Sequence, residues 1–94
     1  MYIRVSTYRP SAGSTGAPTE ETVQRVLELP GCRGLYYLHG EGGTSLSLSL
    51  WEDKAALDGS RDAIDAIRAE TAGAQHMEVL GVDEYEVLTQ SLKP

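Results

Sequence analysis

Four kinds of side chain in this sequence could do chemistry on a small molecule: imidazole, phenol, indole and guanidinium. His39 is one of two histidines and stands directly before Gly40, at the end of an alternating segment. An imidazole titrates near neutral pH and is the natural general base for a phenol or an acidic C–H. The plain alternative is an exposed histidine leading into a turn. Trp51, the single tryptophan, could stack on a flat ligand or bury a large apolar area where a strand meets a helix. Tyr36 and Tyr37 are adjacent, so on a strand they point to opposite faces. Tyr8, Tyr37 and Tyr85 are candidate donors to a carbonyl or peroxide oxygen, with core or interface packing as the alternative. Arg61 could hold a carboxylate bidentately, or pair along its own helix with Asp58 or Asp65.

Other chemistries lack their residues. Cys32 is the only cysteine, so neither an internal disulfide nor a thiolate metal site is available, and no histidine adjoins it. His39 and His76 have no metal-ligand spacing to the scattered acids. Ser45, Ser47 and Ser49 show no nucleophile motif. Asp58, Asp62 and Asp65 lack the order of a calcium loop and read as a solvated helix face. Neither a metal nor a cofactor is expected.

The charge balance narrows the partners. Eight basic residues face fourteen acids, a net charge of −6. Ten of those acids lie in residues 52–86, against Lys54, Arg61 and Arg68. A phosphate backbone or an anionic lipid surface needs a basic face, so no nucleic acid and no membrane partner is expected. No apolar run reaches spanning length, and no secretory signal is visible at the N-terminus. A lone cysteine fits a reducing cytoplasm. The frequent Arg, Ala and Gly hint at a GC-rich bacterial genome.

Ninety-four residues suffice for one domain, residues 1–94, with one modest core. Met1 to Arg9 alternates as a strand, with Ile3, Val5 and Thr7 on one face and Tyr2, Arg4, Ser6 and Tyr8 on the other. Ser11 to Gly16 is loop by composition. Thr19 is a helix N-cap ahead of Glu20 and Glu21, and Val23, Val26 and Leu27 give an apolar stripe over about eleven residues, ended by Pro30-Gly31. Leu35 to His39 and Thr44 to Trp51 form a hairpin about the Gly-rich turn at 40–43. In its second strand Leu46, Leu48 and Leu50 alternate with Ser45, Ser47 and Ser49. Residues 53–72 are helical in two pieces, with Asp53 and Ser60 as caps. Ala63, Ile64, Ile67 and Thr71 point inward, Asp62, Asp65, Arg68 and Glu70 face water, and Gly73 is the C-cap. Gln75 to Leu80 and Val82 to Thr89 are extended, with a bulge or kink at Gly81. The order β-α-β-β-α-β predicts an α+β, ferredoxin-like fold: a four-stranded antiparallel sheet with two helices on one face. The other face has no cover in the sequence, so a homodimer is expected. The three serines are expected to lie between the two sheets of that dimer.

Three segments belong together: Pro30-Gly31-Cys32-Arg33-Gly34-Leu35, the strand through Trp51-Glu52 to Ala56-Leu57, and Glu84-Tyr85-Glu86-Val87-Leu88. With them, nearly the whole chain resembles the antibiotic biosynthesis monooxygenase-like family of the dimeric α+β barrel superfamily. The resemblance implies a dimer whose sheets pack face to face, with a small aromatic or polyketide-like ligand between sheet and helices. Characterised members oxidise phenolic substrates with O₂ and neither metal nor flavin; others degrade haem. The haem-degrading pattern is missing, since Thr7 stands on the first strand where an Asn would be needed. The second helix has no His or Trp, and Ser60 occupies the position where many relatives carry His. The implied function is a cofactor-independent oxygenase acting on an aromatic or phenolic metabolite. In that scheme His39 is the catalytic base, and Trp51, Tyr37, Tyr85 and Arg61 contact the substrate. A reading of another class is a non-catalytic homodimer that binds a small ligand or serves as a scaffold, in which Val23, Val26, Leu27, Ile64 and Ile67 fill the space instead.

Overall fold

Parity along the third strand decides which way the sheet faces. Trp51 has to be buried, and Ser45, Ser47 and Ser49 share its face because side chains alternate with period two. In the computed structural model, which describes residues 1–12, 14 and 18–94, Trp51 is indeed fully enclosed, and Ser45 and Ser49 are buried with it. The serines therefore face the helices. The open face of the sheet, where the serines were expected, carries Leu46, Leu48 and Leu50 instead, all half-exposed.

The elements follow as β1 (Tyr2–Pro10), α1 (Glu20–Leu27), β2 (Cys32–His39), β3 (Ser45–Trp51), α2 (Lys54–Gly59), α3 (Arg61–Ala74) and β4 (Met77–Glu86). The four strands form one antiparallel sheet in the order β2-β3-β1-β4. This is the expected ferredoxin-like order, with the second helix divided into α2 and α3. Register pairs Arg4 with Ser49, Ser6 with Ser47 and Tyr8 with Ser45 on the helix side. On the open side it pairs Ile3 with Leu50 and Val5 with Leu48. Opposite Thr7 and Tyr8 the pairing on β4 jumps from Gly81 to Val79, passing over Leu80, so the bulge expected at Gly81 is present.

Local chemistry explains the ends of the helices. Thr19 Oγ1 accepts from the Thr22 amide at 3.3 Å and caps α1. The helix is shorter than its sequence pattern suggested and stops at Leu27, because the residue before Pro30 is pushed out of the helical region. Asp53 caps α2 by accepting from the Ala56 amide at 2.8 Å. Ser60 is not the side-chain cap the sequence suggested. Its backbone is itself near-helical, and its hydroxyl donates back to the Leu57 carbonyl at 2.9 Å. On α3 the buried stripe is Ile64, Ile67, Thr71 and Ala72; Ala63 is exposed, and Arg68 turns inward rather than to water. The helix runs past Gly73 to Ala74, and His76 takes a left-handed backbone (φ 55°) before β4 starts at Met77. The core is Val26, Trp51, Leu57, Ile64 and Ile67, with Tyr2, Leu29, Cys32, Leu35 and Ala56 packed against it. Of the expected loop from Ser11 to Gly16, residues 13, 15 and 16 lie outside the described residues.

Candidate functional site

A cavity lies between the helix-side face of the sheet and helices α1 and α3. Strand β1 contributes Ser6 and Tyr8, β2 Leu35 and Tyr37, and β3 Ser47 and Ser49. The helices contribute Thr22 and Val26 from α1 and Ile64, Ile67, Arg68 and Thr71 from α3, with Pro18 at the edge. The space is about 430 Å³ counted to its open mouth, and little of it is enclosed, so a ligand larger than a few waters keeps part of its body in the mouth.

The floor is aromatic and hydroxylic. Tyr8 and Tyr37 stack with centroids 6.0 Å apart and planes 14° apart. Tyr8 Oη and Ser47 Oγ are hydrogen-bonded at 3.0 Å, and Ser49 Oγ accepts from Trp51 Nε1 at 2.9 Å. Arg68 Nε donates to Ser6 Oγ at 3.0 Å, and its Nη1 donates to Asp65 at 2.6 Å. One buried polar atom of this wall, Arg68 Nη2, has no hydrogen-bond partner among the described residues, and the Tyr37 hydroxyl has only the Tyr8 hydroxyl beside it, at the edge of hydrogen-bonding geometry. Burial, and then the neighbouring Tyr8, push the Tyr37 hydroxyl above its ordinary pKa. It stays protonated at neutral pH and can donate or accept a hydrogen bond.

The residues proposed from sequence are scattered. Tyr37 and Tyr8 line the cavity. Trp51 lies behind it, separated by Ser49, and serves the core. His39 is exposed at the far end of β2, with Nδ1 3.1 Å from Ser45 Oγ, and does not reach the cavity. Arg61 is exposed at the start of α3 and pairs with Glu84 at 2.8 Å and Asp58 at 3.2 Å, so its guanidinium is already engaged outside. Tyr85 pairs with Ile3 on the open face, by the same parity that places Val5 and Leu48 there. Arg68 is the residue that sequence reasoning missed. Its signal was spacing: four residues after Ile64 and three before Thr71 puts it at the edge of the buried stripe.

A second polar centre lies on the other side of Trp51. Arg4 is buried and donates to the Leu57 carbonyl at 2.7 Å, to Ser60 Oγ at 3.3 Å and to Glu84 at 3.1 Å. It joins β1 and β4 to the α2–α3 junction. Among the described residues no cluster of three or more His, Cys, Asp or Glu side chains could hold a metal ion. No helix is long and apolar enough to cross a membrane.

The fold has solved counterparts. A Deinococcus radiodurans protein described as a candidate antibiotic biosynthesis monooxygenase superposes with a TM-score of 0.60 at 18% identity, over 100% of this chain and 98% of that one. The chain has an antibiotic biosynthesis monooxygenase-like fold. The Mycobacterium tuberculosis protein Rv0793 gives the same TM-score at 16% identity, over 98% of this chain and 100% of its own. No family model and no curated protein matches the sequence. The segments that carried the resemblance are framework in the antibiotic biosynthesis monooxygenase-like fold. Gly31 takes a left-handed backbone (φ 79°), and its carbonyl accepts from the Glu52 amide at 2.9 Å, tying the turn before β2 to the end of β3.

Proposed function

We propose that this chain is a small oxygenase that acts, without metal or organic cofactor, on an aromatic or phenolic metabolite held between the sheet and helices α1 and α3. The observation that carries this reading is a cavity walled by the stacked Tyr8 and Tyr37 rings, with the buried Arg68 side chain in the same lining. A phenolic ring fits beside the tyrosine rings, with its oxygen toward Arg68. The absence of His and Trp from residues 53–72 argues against a haem-binding role.

The reaction balances without an added reductant. A methylene flanked by phenolic rings loses a proton, and the electron-rich anion adds O₂. One oxygen atom becomes the new carbonyl oxygen; the other leaves as water with the two methylene hydrogens. The substrate supplies all four electrons. The protein's part is to orient the ring and stabilise developing negative charge on oxygen.

Oxygen uptake with a hydroxylated anthrone tests this. Arg68→Met and Tyr37→Phe are expected to lose at least about tenfold of the rate, the loss of one charge-assisted or neutral hydrogen bond in the transition state. His39→Ala is expected to keep it. No uptake by the wild type across a panel of phenols would remove the enzymatic reading.

One observation favours a second reading, a ligand-binding protein that catalyses nothing. Among the described residues no imidazole or carboxylate lines the cavity, so the site itself offers no general base.

In either reading we propose a homodimer. Ile3, Val5, Leu46, Leu48 and Leu50 are half-exposed on the open face, beside the exposed Tyr36, Leu38 and Tyr85. A contiguous apolar sheet face of this kind is an association surface. A single free cysteine suits a reducing cytoplasm.

A further inference from the structure

Strand register lays out the open face of the sheet in rows that run across β2, β3, β1 and β4. The middle row is Tyr36, Leu48, Val5 and Asp83. The rows on either side are apolar apart from Thr7, and each has a glycine at one edge: Gly34 opposite Tyr85 in one, Gly81 opposite Leu38 in the other. Asp83 is the one charged side chain in these rows; the Arg9–Glu78 ion pair lies beyond them, at the far end of β1. Asp83 and Tyr36 are both exposed, and neither has a hydrogen-bond or ion-pair partner among the described residues. A second copy laid on this face takes away their water, and a carboxylate so covered needs a donor.

Symmetry limits what Asp83 can meet. Two identical sheets packed face to face with their strands aligned are related by a two-fold axis between them, either across the strands or along them. An axis across the strands sets each strand over its own copy. Asp83 then faces the partner's Asp83, a juxtaposition of like charges that opposes association. An axis along the strands sets β2 over β4 and β3 over β1. Leu48 then faces the partner's Val5, apolar on apolar, and Asp83 faces the partner's Tyr36, whose hydroxyl is a donor. Both arrangements set Gly34 and Gly81, each with open space beside it, against a large side chain in the outer rows. The middle row therefore decides between them.

We infer that a second copy of this chain closes the open face with its two-fold axis along the strands, each Asp83 accepting a hydrogen bond from the partner's Tyr36. This rests on the homodimer reading and adds the arrangement of the two sheets and the contact that selects it.

Cysteine cross-linking reads the arrangement. In a Cys32→Ala background, bismaleimidoethane is added to Tyr36→Cys, to Asp83→Cys, and to an equimolar mixture of the two after subunit exchange. The mixture is expected to give a covalent dimer on a denaturing gel. Each variant alone is expected to run as a monomer there, because its two cysteines lie three strand spacings apart, roughly 14 Å. A covalent dimer from either variant alone would place the axis across the strands and overturn the inference. So would a mixture that forms no cross-link while sedimentation velocity shows a dimer. The contact itself has a second test, the dimer dissociation constant. Tyr36→Phe keeps the ring but strands the carboxylate, and is expected to weaken the dimer at least about tenfold. Tyr36→Phe combined with Asp83→Leu removes both polar partners and is expected to recover most of that loss. Unchanged affinity in Tyr36→Phe, or no recovery in the double variant, would overturn the inference and leave the dimer standing. A monomeric wild type would overturn the inference and the homodimer reading together.

Discussion

The Arg4 guanidinium carbon lies 5.6 Å from the centre of the Trp51 ring, and both side chains are almost wholly buried. A charge this deep is tolerated because every side of it is used: the indole face beneath, the Leu57 carbonyl and Ser60 hydroxyl at one end, and Glu84 at the other. Truncating one partner of such an arrangement leaves the others desolvated. Arg4→Ala is expected to lower the unfolding free energy by about 3–5 kcal/mol, measured by urea denaturation. A loss below about 1 kcal/mol would show that water replaces the guanidinium without cost.

Gly31 sets a second, independent constraint. Its positive φ is strained for any residue with a Cβ, and a Cβ built there would collide with the Ala56 side chain at the start of α2. Gly31→Ala is therefore expected to destabilise by roughly 2–3 kcal/mol, conformational strain and overpacking combined. Gly34→Ala is the control, since nothing lies within 4 Å of its Cβ position and its φ is unexceptional. A near-equal melting temperature for the two variants would contradict the collision.

Tyr37 should appear in the alkaline limb of stability. Its folded pKa is raised above the ordinary value of 10.0, chiefly by burial. A phenol with a raised folded pKa contributes its full stability below the unfolded pKa and loses it as pH rises beyond that point. Wild-type stability is thus expected to fall more steeply above about pH 10 than that of Tyr37→Phe, with the two curves parallel at pH 6–9. Chemical denaturation across that range measures it. Parallel curves through pH 11 would place the hydroxyl in water.

Most of the fold was legible in the sequence because its signals are local. Thr19 and Asp53 cap their helices, the break falls at Gly59-Ser60, and the alternation around Leu46 to Leu50 marks a strand. The site was less legible, for two physical reasons. Intrinsic reactivity points to His39, Arg61 and Tyr85, whereas access to the cavity depends on strand parity and on pairing with distant acids. Arg68 looked like a solvated helix residue, because a sequence shows its Asp65 neighbour but not Ser6 across the sheet–helix boundary. Polarity misled in the same way: Ser45, Ser47 and Ser49 are expected between the two sheets of a dimer, yet Trp51 at the same parity carries them to the helix side.

The open face offers the final prediction. Leu48 sits mid-strand between Val5 on β1 and Tyr36 on β2, at the centre of the uncovered surface. A lysine there would put a charge into any sheet-to-sheet contact, where an unpaired ion is costly, yet would cost the isolated subunit little because the position is half-exposed. Sedimentation velocity is expected to show a dimer for the wild type and a folded monomer, with unchanged far-ultraviolet circular dichroism, for Leu48→Lys. A wild-type monomer at about 100 μM would remove the dimer, and a Leu48→Lys protein that remains dimeric would mean that association uses some other surface. The same variant isolates the cavity from the interface. Leu48 points away from Tyr37 and Arg68, so a folded Leu48→Lys monomer that keeps the oxygen uptake of the wild type would establish that one subunit makes the whole cavity site.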